Sequence, residues 1–90
     1  MSAAELISRL LQAKAHLGRA RELIQAAGSE LHQARALIQA ALQGTADQSI
    51  AAVVDRSSQQ LGVAAVAVGQ SASKVDEILT RVRGLGGLGN

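Results

Sequence analysis

The chain has no cysteine, no proline, no aromatic side chain and a single methionine in 90 residues. Each absence removes a class of protein. Without cysteine there is no disulfide scaffold, no thiolate metal site and no cysteine nucleophile, and the redox compartment is left open. Without Phe, Tyr or Trp there is no platform on which nucleic-acid bases could stack, and no large aromatic anchor for a core. An excess of one charge is lacking as well. Nine Lys/Arg stand against seven Asp/Glu, a net charge of +2, too even a balance for a nucleic-acid partner despite a sequence pI of 9.9. The longest apolar run, Leu61–Gly69, is nine residues, about half of the roughly 20 needed to cross a bilayer, so no transmembrane segment is expected. The Met1–Arg9 segment carries Glu5 and Arg9 and lacks the apolar stretch of a secretory signal peptide. The expected compartment is the cytoplasm, with export by a signal-peptide-independent route as the alternative.

What is present is helix-forming. The chain holds 18 alanines and 12 leucines, and residues 2–43 are dominated by Ala, Leu, Gln, Glu and Arg, interrupted only by Gly18 and Gly28. Ser2 with Glu5 forms a capping box for a first helix. Gly44 suits a left-handed position just past its end. Thr45 with Gln48 forms a second capping box, with Asp47 as the alternative N-cap. The expected organisation is a helical hairpin over 1–83, with a helix over 2–43, a turn at 44–46 and a helix over 46–83. A flexible glycine-rich tail is expected at 84–90, where four of seven residues are glycine.

The period inside the helices sets the fold class. Large residues recur every seven positions at Leu10, Leu17, Ile24, Leu31 and Ile38, and small ones three positions later at Ala13, Ala20, Ala27, Ala34 and Ala41. The second helix repeats the code with Val54, Leu61, Val68, Val75 and Val82, accompanied by Ser58, Ala65, Ala72 and Leu79. This is an unbroken heptad pattern. Folding the chain antiparallel about position 46 pairs Ile38 with Val54, Leu31 with Leu61, Ile24 with Val68, Leu17 with Val75, and Leu10 with Val82. The small series falls into the same register. On one edge the register sets Arg35 opposite Asp55, Lys14 opposite Asp76 and Gly28 opposite Gly62. The expectation is an all-α, antiparallel, coiled-coil-like hairpin with an alanine-rich seam.

Two helices cannot bury everything apolar in this sequence. The other edge carries Leu23, Leu37, Ile50, Ala64 and Ile78, and Val53, Val63 and Val66 also lie outside the seam. We read Leu23, Leu37, Ile50, Val53, Val63, Val66 and Ile78 as a partner face. A homodimer forming a four-helix bundle, or a heterodimer with another helical protein, would cover it. An amphipathic protein coating a lipid or granule surface is the alternative.

Catalytic chemistry has no foothold in the pattern. His16 and His32 differ by about 160° around a helix and cannot share a metal. The neighbouring carboxylates Asp76 and Glu77 point to different faces, and a thin rod offers no concavity for a triad. No catalytic residue, cofactor or metal site is expected, and the chain does not read as an enzyme. Gly28, Gly62 and Gly69 gather on the charged edge, where they read first as permitting close helix packing and second as a notch for another backbone.

A Gly turn between two long antiparallel helices in a chain of this length resembles the W-x-G hairpins of bacterial Esx-type (type VII) secretion. At the W-x-G position stands Leu42-Gln43-Gly44, with the glycine and without the tryptophan. The segments Ile50–Val54 and Val75–Arg83 resemble the start and end of the second helix in that family. The C-terminal tyrosine-based export signal has no counterpart. The resemblance implies a dimeric four-helix bundle acting as a secreted effector or as a non-exported accessory.

Overall fold

The structure, a computed structural model, describes residues 1–44 and 48–88. Helix α1 spans Ala3–Ala41 and helix α2 spans Ser49–Leu88. With 39 and 40 residues, each is about 60 Å long at 1.5 Å per residue. They pack side by side into a rod whose backbone measures 71 × 16 × 14 Å.

The ends of the helices have identifiable causes. Ser2 is extended, and its Oγ accepts the Glu5 backbone N–H at 3.1 Å, so an otherwise unpaired donor of the first turn is satisfied. Glu5 also places a negative charge where the helix dipole is positive. At the other end the Leu42 N–H donates to the Ile38 carbonyl at 2.9 Å. Gly44 then turns the chain with φ +85°, the left-handed conformation its position calls for. The chain leaves α1 two residues earlier than expected, so Leu42 and Gln43 belong to the turn. In α2 the first bond runs from the Ala52 N–H to the Gln48 carbonyl at 3.0 Å, later than the expected start at 46. The proposed caps Thr45 and Asp47 lie outside the described residues.

The expected tail is corrected in part. Helix α2 continues past Arg83 through Gly84 to Leu88. Glycine weakens a helix by about 1 kcal/mol per residue, yet its N–H and C=O complete the ladder like any other residue's, and no proline is present to break it.

All ten large seam residues, from Leu10 to Val82, are half-buried. The small companions are not all placed as expected. Ala20, Ala27, Ala34 and Ala72 face inward, whereas Ala13, Ala41, Ser58 and Ala65 are exposed, and Ser57 and Ala64 are half-buried one position earlier. The cause is helical drift. A straight helix of 3.6 residues per turn slips about 20° per heptad, and the covered stripe follows an 18-residue return, Ala64 with Val82 and Ser57 with Val75. At the open end of the rod the covered stripe widens. Leu6, Ile7 and Leu10 on α1 and Val75, Ile78 and Val82 on α2 are half-buried around Leu79, which is 3% exposed.

Burial is thin everywhere else. Among the described residues only Leu79 and Ala51 are fully buried. The chain exposes 6602 Å², whereas a compact monomer of 9.2 kDa would expose about 4,900 Å².

Two outcomes follow for the purified chain at concentrations where it is helical. Leu79→Ala lowers the unfolding free energy by about 2–5 kcal/mol in urea titrations followed by circular dichroism. Ile24→Asp and Leu31→Asp abolish the helical signal, while Gln25→Asp and Gln33→Asp retain it; equal tolerance at the four positions would overturn the seam.

Candidate interaction surface

The two long edges of the rod differ in chemistry. On the charged edge Lys14 Nζ lies 2.7 Å from Asp76 Oδ1. About six helical turns further along α1, Arg35 Nε donates to Asp55 Oδ1 at 2.6 Å, and Nη2 to Oδ2 at 3.4 Å. Both pairs bridge α1 to α2 in the register read from the sequence. Their side chains remain about half exposed to water, so each pair specifies alignment more than it stabilises.

Gly28, Gly62 and Gly69 belong to this edge by their spacing. A methyl group built on any of the three, or on Gly18, meets nothing within 4 Å. Close packing of α1 on α2 is therefore not the reason for these glycines, which corrects the first reading given to them. Gly44 also has open space around it, but its positive φ makes any larger residue strained there.

The histidines do not converge on a site. Arg19 Nη2 donates to His16 Nδ1 at 2.9 Å, an arrangement along one exposed turn of α1, and His32 is exposed elsewhere. Among the described residues no group of three or more His, Cys, Asp or Glu could hold a metal ion. No helix among them is long and apolar enough to cross a membrane.

The apolar edge is open. Leu23, Leu37, Ile50 and Val53 are exposed along it, with Leu37 at 72%; Val63 and Val66, expected on the same partner face, are exposed on the outer side of α2 instead, because they sit more than about 100° around that helix from the groove-lining Ser57. Ile78 departs from the expectation: it is half-buried, because the widened cluster around Leu79 covers it within the hairpin. Leu11, Leu85 and Met1 add exposed apolar surface that the heptad reading passed over. Exposed apolar residues of α1 and α2 flank a groove of about 760 Å³ between the helices, lined by Ala27, Leu31 and Ala34 of α1 and Ser57, Gln60 and Leu61 of α2, with Glu30 at its rim. The groove exists because small side chains meet there: Ala27 and Ala34 fill little space, and the drift of α2 brings Ser57 inward in place of Ser58. By helical geometry Ser57 lies within about 60° of Ile50, Val53, Gln60 and Ala64, whereas Gln59 and Val66 lie on the far side of α2.

These features define a two-helix hairpin with one ion-paired edge and one apolar, grooved edge. The chain belongs to the family of unknown function DUF6244, whose model matches residues 1–87. No curated protein and no solved structure matches it.

Glycine substitutions test the geometry of this surface. Gly28→Ala, Gly62→Ala and Gly69→Ala each raise the unfolding free energy, by up to about 1 kcal/mol. Gly44→Ala lowers it by about 1 kcal/mol, since it forces a side chain into the left-handed region. Urea titration of the four variants reads both signs.

Proposed function

We propose that this chain is a non-enzymatic protein–protein interaction module: a helical hairpin that completes its fold by laying its apolar edge against further helices. The observation that carries the reading is the thinness of the core. With two fully buried residues among those the structure describes, the hairpin has buried too little apolar surface to offset the entropy of ordering two helices of this length. The missing burial is available on its own surface, at Leu23, Leu37, Ile50 and Val53 beside the groove.

The setting we propose with it is type VII secretion, as effector or accessory. The hairpin architecture and the left-handed Gly44 closing the Leu42-Gln43-Gly44 turn support that setting.

Light scattering on a sizing column tests the module reading, with detection by refractive index because the chain has no aromatic chromophore. The expected result is either a helical species at twice the 9.2 kDa chain mass, or a weakly helical monomer that gains helix with a helical partner. A monomer that is fully helical and unfolds cooperatively at micromolar concentration overturns the reading. Helix that appears only with lipid vesicles assigns the apolar edge to a lipid surface instead.

A further inference from the structure

We infer that the groove between α1 and α2 is the docking site for a second copy of this chain, packed apolar edge to apolar edge, with the ion-paired edge left facing water. This rests on the interaction reading above and names the occupant and the face.

The first argument is complementarity of the face with itself. Large exposed residues, Leu23 and Leu37, stand on the same strip of α1 as the recess floored by Ala27 and Ala34. A knob and a hole on one face are what a two-fold symmetric interface requires, because each copy supplies the knobs that fill the other's hole.

The second argument is charge. Along the groove-side strips of α1 from Ala20 to Ala41 and of α2 from Ile50 to Ser71, Glu30 is the only ionisable residue. A two-fold pair would bring Glu30 and its mate to the interface, a smaller charge burial than the other edge demands. The opposite edge holds Lys14, Arg35, Asp55 and Asp76 in exposed pairs, and burying those would require desolvating four charges. Electrostatics therefore selects which edge is covered.

The third argument is area. The chain exposes 6602 Å², about 1,700 Å² more than the roughly 4,900 Å² of a compact monomer of its mass. A standard stable interface removes about 800 Å² from each partner. Stacking two hairpins on one face therefore falls within the excess that the rod shape creates.

The absence of cysteine makes the test direct, since single cysteines can be introduced and spin-labelled without background. Gln60 and Gln59 are both exposed in the hairpin, but only Gln60 lines the groove. A nitroxide on Gln60→Cys is expected to be immobilised at a concentration where the mass is doubled, and to become mobile on dilution to the monomer. A nitroxide on Gln59→Cys is expected to stay mobile throughout. In parallel, Leu37→Glu is expected to raise the dimer dissociation constant at least about tenfold, whereas Val66→Glu on the far side of α2 leaves it unchanged.

The outcomes separate the two readings. A doubled mass with the Gln59 label immobilised and the Gln60 label mobile overturns this docking face and leaves the interaction module standing. A weakly helical monomer that folds only on a different protein overturns the second copy as occupant, again leaving the module. A fully helical, cooperative monomer overturns both. If Leu37→Glu fails to fold, the label pair still decides the face.

Discussion

A helix in contact with one other helix can cover only one stripe of itself. From that constraint the rest of this structure follows. Each helix has a width of about 10 Å including side chains, so a pair encloses no interior, and side chains at the seam keep one flank toward water. The ten large seam residues are accordingly half-buried and none is fully buried. The fully buried residues sit where geometry permits more: Leu79 in the widened open end, and Ala51 near the turn, small enough to be covered by its surroundings. At least three helices are needed to enclose a centre, so an apolar edge on a two-helix rod has no interior of its own to enter.

Given so little burial, alignment has to be specified by something other than the apolar layers. The seam alone is degenerate, because a slip of one heptad would again set large residues against large ones. The ion pairs break the degeneracy. In such a slip Lys14 would face Gly69 and Arg35 would face Gln48, and both bonds to carboxylates would be lost. The observed contacts, Lys14 with Asp76 and Arg35 with Asp55, lie 21 residues apart along each helix and so fix both position and parallel alignment of the axes. Each exposed pair contributes about 0.2–1 kcal/mol, which is a small fraction of the fold but enough to order near-equal registers.

The architecture was legible in the sequence because the signals were redundant. Heptad spacing, turn residues and cross-helix charges all led to the same hairpin, and Ser2, Gly44, Lys14 and Asp76 behave as their chemistry indicated. The misplaced details share a different cause. Assigning Ser58 and Ala65 to the seam assumed a strict seven-residue repeat, whereas the straight helices drift and bring in Ser57 and Ala64. Ile78 was assigned to the partner face because its heptad position is an edge, but neighbouring bulk at Leu79 widens the covered stripe locally. The groove is not legible in the apolar pattern because Ser57, on the same heptad position as Ile50 and Ala64, is small and polar, and a recess between Ser57, Ala27 and Ala34 is a matter of missing side-chain volume. Helix α2 runs past Gly84 because glycine's entropic penalty, without a proline or a cap, sets no boundary.

The apolar edge also couples folding to association. When a chain's own core is marginal, whatever covers its exposed face adds its binding free energy to the stability of the hairpin, and the folded population rises with the concentration of the covering surface. A second copy is a covering surface that the chain always carries with it. The two edges then divide the work. In the proposed pair the grooved edge would supply burial, and the ion-paired edge, which is better solvated than buried, would stay outward. Val63 and Val66 lie on neither edge, and on the outer side of α2 they would remain exposed in the proposed pair. They form the apolar surface that an assembled pair would present to anything else it meets.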